Sequence, residues 1–216
     1  MSSTKVILRT ALFSILSIIG AAIIAFAVLS LAFPKTMAGF CEQTDNYSLA
    51  VQYANLNYVY SGDIKDLSRL VDDSIKTGKD KTIVKYVAKF VDHEKFSEEC
   101  ERVSALMKQN LIDNGWFELA GKDPETYTVS YKFFVCGELS AAQYRRKNIE
   151  GAISAAQKGC EDMQGFEEGN PFVTLSLEVI EANDQSAKQL VKQTLLQDFA
   201  DESETPYFKN LIALLG

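Results

Sequence analysis

The chain has one histidine in 216 residues, and its four cysteines fall in no CxxC or Cys/His spacing. With a lone histidine, nothing in the sequence sets a Ser or Cys beside His93 to build a nucleophilic triad. With the cysteines scattered, the ligand pattern of a zinc site is absent. There is also no GxGxxG, no Walker loop, no HExxH and no GxSxG. Neither a catalytic residue, a metal ligand nor a cofactor is therefore expected. Positive charge is scarce as well. Two of the 22 basic residues precede residue 10, which leaves 20 against 29 acidic ones and a net charge of −9 for residues 34–216. A domain of that sign is repelled by phosphate backbones, which excludes nucleic acid from the expected partners.

Charge is missing altogether from Thr10 to Phe33, where TALFSILSIIGAAIIAFAVLSLAF runs 24 residues. As a helix this stretch is roughly 36 Å long at 1.5 Å per residue, enough for a hydrocarbon core of about 30 Å. A cleaved signal peptide has an apolar region of only about 7–15 residues and a small-residue cleavage site. This run ends instead at Phe33-Pro34, so a retained single-pass anchor is expected. The division that follows is a tail over 1–9, a transmembrane helix over 10–33, a linker over 34–44 and a domain over 45–216. Lys5 and Arg9 precede the span, whereas Lys35 follows it with Glu42 and Asp45 close behind. That bias puts the amino terminus in the cytoplasm and the domain outside. Ser17, Ala21 and Ala25 recur every four residues, a small-residue face on which two copies can pair as a weak homodimer.

Beyond Pro34 the pattern is helical nearly throughout, and the fold class expected is all-α. Asp45-Asn46 caps a helix over Tyr47 to Tyr60, and Asp63 caps one over Ile64 to Thr77 that Gly78 ends. Helices over Lys81 to Asp92 and Phe96 to Ile112 follow, then a loop over Trp116 to Pro124. Thr126 to Arg146 reads as a long helix whose first half is rich in β-formers, and Ile149 to Lys158 as its short partner. Asn170-Pro171, Asp184 and Thr205-Pro206 open the last three helices. Short helices separated by Gly, Asn or Asp turns invite a search for a period. Leu49 to Tyr53 aligns with Thr82 to Tyr86 at an offset of 33, and Tyr47 to Ala50 with Ile149 to Ala152 at an offset of 102.

A helix–turn–helix period of about 34 residues resembles that of tetratricopeptide repeats. DNYSLAVQYA, GKDKTIVKYVAKF and KNIEGAISAA resemble the start of that family's second helix, where a small residue lets two backbones approach. The resemblance spans about three units between residues 45 and 164. A unit near 96–124 matches poorly, and NGWFELAGKD disturbs the register. The overall plan of anchor and repeats is also similar to single-pass bacterial membrane proteins. The resemblance implies a stacked solenoid whose first helices line a concave face.

On that register the first helices are Ile64 to Thr77 and the second half of Thr126 to Arg146. Lys65, Arg69, Asp72 and Lys76 then form one stripe, with Tyr144 and Arg145 at the equivalent end of the later helix. Such a stripe would suit an acidic or carboxyl-terminal peptide of another membrane or envelope protein. Cys136 and Cys160 fall at the same end of one helical hairpin, as neighbouring thiols or a disulfide. Asp72-Asp73, Glu98-Glu99 and Glu167-Glu168 are adjacent in sequence, about 100° apart on a helix, and read as solvated faces. His93 reads as a capping residue, and Trp116-Phe117 as an aromatic pair closing a core under a loop. The expected function is a membrane-anchored protein–protein interaction module at the extracytoplasmic face. The alternatives are an envelope enzyme or lipid- or saccharide-handling protein with a site between helices, and a structural subunit of a membrane complex.

Overall fold

The computed structural model describes residues 3–161, 166, 169–202 and 205–216, with side chains from Ser14 onward. The Glu167-Glu168 pair lies outside the described residues. No strand occurs among those described, and the chain is all-α. Helix α1, Ser3–Ala32, is long and apolar enough over Ser14–Ala32 to cross a membrane, and almost none of that stretch is buried. Ser17, Ala21 and Ala25 are exposed on it.

The stretch expected as a linker is a helix. α2, Pro34–Gln43, starts with proline at its first position, where φ is preset and no amide is lost. Phe33 leaves helical geometry at φ −131, ψ 57, yet Phe33 N bonds Leu29 O and Met37 N bonds Phe33 O, so α1 passes into α2 without a loop. Ala38 and Cys41 of α2 are buried at 0% and 3% exposure. The local sequence PKTMAGFCEQ is a poor helix former, so it is this packing that makes the segment helical.

The next helices follow their caps. Asn46 Oδ1 accepts from Leu49 N at the start of α3, Tyr47–Ser61, and Gly62 ends it in the left-handed region at φ 64. Asp63 Oδ1 accepts from Lys65 N at the start of α4, Ile64–Lys76. Then come α5, Asp80–Val91, and α6, Phe96–Asp113. Where a loop was expected at Trp116, five residues form a short helix α7, Trp116–Ala120, held between Gly115 and Gly121. Its Trp116 and Phe117 rings meet edge to face at 5.1 Å and both lie against Tyr127. Phe117 is buried, so the pair closes a small core as expected. Of the long helix expected, residues 126–130 are non-helical, and α8 spans Tyr131–Arg145, so the β-formers of YKFFV sit inside a helix. It is followed by α9, Ile149–Cys160; α10, Pro171–Glu181; α11, Gln185–Asp198; and α12, Pro206–Leu215.

Consecutive helices pack as hairpins, α2 on α3, α4 on α5, α8 on α9 and α10 on α11. The second pair is followed in space not by α6–α7 but by α8, which packs directly on α5. The poorly matching unit is thus displaced to the side. Only the first turn of α6 is buried, through Phe96, Glu99 and Cys100, where it leans on α4 and α8. Two cores result. One gathers Leu67, Leu70, Val71, Ile83, Val87, Phe90, Tyr131 and Val135, and the other Phe172, Leu175, Val179, Val191, Leu195 and Phe208. Helix α8 is the wall between them, with Val135 and Leu139 in the first and Tyr144 in the second. Small residues make the α8–α9 crossing tight: Ala152 and Ala156 are fully buried, and Ser140 Oγ donates to Ala152 O at 2.7 Å.

Candidate interaction site

Helix α4 carries most of the stripe expected to stay open, and the structure engages much of it inside the domain. Arg69 Nε donates to Glu42 Oε1 of α2 at 2.7 Å, with both side chains under a third exposed. Tyr131 of α8 donates its hydroxyl to Asp72 Oδ1 at 2.5 Å. Lys76 Nζ sits 5.3 Å from the Tyr47 ring centroid. Lys65 is exposed. At the far helix, Tyr144 is buried with its hydroxyl 3.5 Å from Asp184 Oδ2, and Arg145 bridges Asp80 and Glu178 at 2.9 and 2.5 Å. Two features the sequence could not show explain this. Helix α2 supplies Glu42, and the displaced α6 roofs part of α4.

The reading of the acidic pairs as solvated faces holds for Glu98, which is exposed, and is corrected for Glu99, Asp72 and Asp73. Glu99 is 3% exposed; Ser68 Oγ donates to it at 2.8 Å, and Arg102 clasps both its oxygens. Burial works to raise its pKa, but these hydrogen bonds outweigh it and leave the carboxyl below its ordinary value. Asp72 is driven up by burial, against the pull of the Tyr131 hydrogen bond. Asp73 is 1% exposed, and its Oδ2 has no hydrogen-bond partner. Its neighbour is the Glu42 carboxyl, whose charge acts on it. Burial first, then the Glu42 charge, lift Asp73 to about 7. Glu42 is lifted by burial too, but the Arg69 hydrogen bond and charge win and hold it low. The groups act in series: Arg69 favours the ionised form of Glu42, and burial together with the Glu42 charge favours the protonated form of Asp73.

All four cysteines are free thiols. Cys136 is fully buried and Cys160 half-buried, its Sγ 3.3 Å from Asn170 Oδ1, and burial pushes each up to about 12. They lie at the same end of the α8–α9 hairpin, where Gly159 packs on the Cys136 Cβ. His93 caps its junction, its Nδ1 accepting from Lys95 N at 3.1 Å.

Sequence reasoning passed over one surface. Helix α3 has no charged residue along its length, and across a cleft of about 310 Å³ from it stand Lys79, Lys81 and Lys85. Ser48, Val51 and Gln52 form the α3 wall, and Thr77, Thr82 and Tyr86 the other. Lys89 lies one turn beyond this lining on α5, its Nζ 4.5 Å from the centroid of the Tyr58 ring of α3. The signal lay in KDKTIVKYVAK, where three lysines recur at four-residue spacing. Among the described residues, none of these four lysines forms an ion pair. Asp80, which stands between Lys79 and Lys81 in the sequence, is held by Arg145.

Comparison with protein-family models, with curated proteins and with solved structures finds no significant match for this chain.

Proposed function

We propose that the protein is a membrane-tethered interaction module that recruits or organises a second membrane or envelope protein. The observation that carries this reading is a bare apolar helix joined without a loop to a stack of helical hairpins. Tyr53 of α3 adds a second joint by donating its hydroxyl to Ser30 Oγ of α1 at 3.2 Å. An apolar helix left uncovered by its own domain has a lipid phase as its natural solvent. The hairpin stacking, the Asn caps of α3 and α9 and the small residues at the α8–α9 crossing support a tetratricopeptide-like architecture. In this reading the amino terminus is cytoplasmic and the domain faces outward, as in single-pass bacterial proteins of similar plan. The converging ionisable groups favour a module over an enzyme. Glu42, Asp72 and Glu99 are spent on fastening helices to one another, and Asp73 at 1% exposure is out of a substrate's reach.

The test is photo-crosslinking in intact membranes, followed by affinity capture of the full chain and of an Ile18→Lys, Ile23→Lys variant. The full chain is expected to bring down a membrane protein that the variant does not. Equal recovery of one partner by both chains would sink the tether.

A further inference from the structure

The cleft between α3 and α5 has a geometry more specific than a basic patch. Lys81, Lys85 and Lys89 are all exposed and stand four residues apart on α5. Four residues of α-helix rise about 6 Å. Alternate side chains of an extended strand, which point the same way, recur about 6.6 Å apart. An extended segment laid along α5 therefore brings every second side chain to a lysine, over roughly two and a half helical turns. The opposite wall suits the rest of such a segment. Ser48 and Gln52 are neutral hydrogen-bonding side chains that can meet its backbone, and α3 brings no acid to compete for the lysines. At the head of the cleft Lys79 donates to Ser48 Oγ at 2.8 Å. Lys85 and Lys89 are braced over the Tyr86 and Tyr58 rings, which limits how much freedom they lose on meeting an anion.

We propose that the α3–α5 cleft binds an extended acidic segment of a partner protein, with Asp or Glu at alternate positions meeting Lys81, Lys85 and Lys89. The assignment rests on the interaction-module reading and names the partner's chemistry. The surface lies apart from the α4 stripe, whose Arg69 and Asp72 already hold Glu42 and Tyr131. Against the net charge of −9 on residues 34–216, a row of unneutralised lysines concentrates the attraction in one channel.

The test is fluorescence anisotropy with the detergent-solubilised full chain and two labelled peptides of one composition. In the first, Asp and Ser alternate; in the second, the Asp residues are contiguous. Saturable binding of the alternating peptide is expected, at least about fivefold tighter than the block peptide and weakened by salt. Lys81→Glu, Lys85→Glu and Lys89→Glu together should weaken it at least tenfold. The milder Lys→Gln set should weaken it less, with unchanged helical circular dichroism in both. Equal binding of the two peptides, or an unchanged affinity after triple reversal, overturns the proposal. So does displacement of the peptide by short-chain phosphatidylglycerol below its micelle concentration at lower concentration than by unlabelled peptide, because the cleft would then be a headgroup site. The measurement needs no bilayer. Peptide binding without capture of a membrane partner would therefore sink the tether and leave the cleft standing, and capture without peptide binding would do the reverse.

Discussion

Asp73 shows how one buried side chain sets a pH window. Its pKa in the folded protein is about 7, raised from an ordinary carboxyl value of 3.8. The folded state thus holds a proton that the unfolded chain gives up between those values. The stability associated with the protonated form is fully present below about pH 4 and is lost as pH rises through 7. Glu42 works with the opposite sign, since its depressed pKa means that its pairing with Arg69 is lost as the solution becomes strongly acid. Asp73→Asn mimics the protonated acid at all pH values. It is expected to stabilise the protein at pH 8 by on the order of 1–3 kcal/mol and to change little at pH 4.5. Urea unfolding at the two pH values measures the difference, and a variant equally or less stable at pH 8 would show that Asp73 is not the group that resists ionisation.

At the scale of elements, the α8–α9 crossing is the tightest joint described. A Cβ added to Gly159 would lie 2.5 Å from Pro171 Cγ and 2.8 Å from Cys136 Cβ, with three helices meeting at the point. Proline cannot swing away as a flexible side chain would. Gly159→Ala is therefore expected to cost about 1–3 kcal/mol through overpacking, despite the better helix propensity of alanine. A thermal melt should show a fall of several degrees. An unchanged midpoint would mean that α10 gives way easily at this joint. The tightness of this joint was legible beforehand, because KNIEGAISAA carries its small residues in the sequence. Helix bounds set by local caps were legible too: Asn46, Asp63, Asn170 and Asp184 each accept from an amide in the first turn. What stayed hidden depends on distant partners. PKTMAGFCEQ becomes helical by packing on α3, and Asp73 and Glu99 are buried and Asp72 half-buried because α2, α6 and α8 close on α4. Adjacent acids carry no local mark of burial, so the open stripe inferred from α4 spacing and the lysine cleft opposite α3 could be told apart only in three dimensions.

For the whole molecule, on the tether reading, the first matter is which side of a membrane the domain would occupy. Lys5 and Arg9 before the apolar stretch favour the outside. Protease added to intact protoplasts should therefore digest the domain from a cleavage within an exposed segment. A fully protected domain with an accessible amino terminus would reverse the orientation and leave the fold untouched.

The junction of α1 and α2 has a consequence for direction as well as distance. A flexible leash of a few residues lets a head group sample every azimuth, whereas a helix that runs on as a second helix fixes the angle of the head about the axis of the post. Each residue of α-helix turns about 100°. One residue inserted into the last turn of α1 would rotate the domain by that angle against everything else the post touches, and would carry Ser30 away from Tyr53. Four inserted residues would bring the azimuth back to within about 40° while lifting the domain roughly 6 Å. On the tether reading, the phase of this post sets the azimuth of the lysine cleft, much as a key's bit is fixed to its shank.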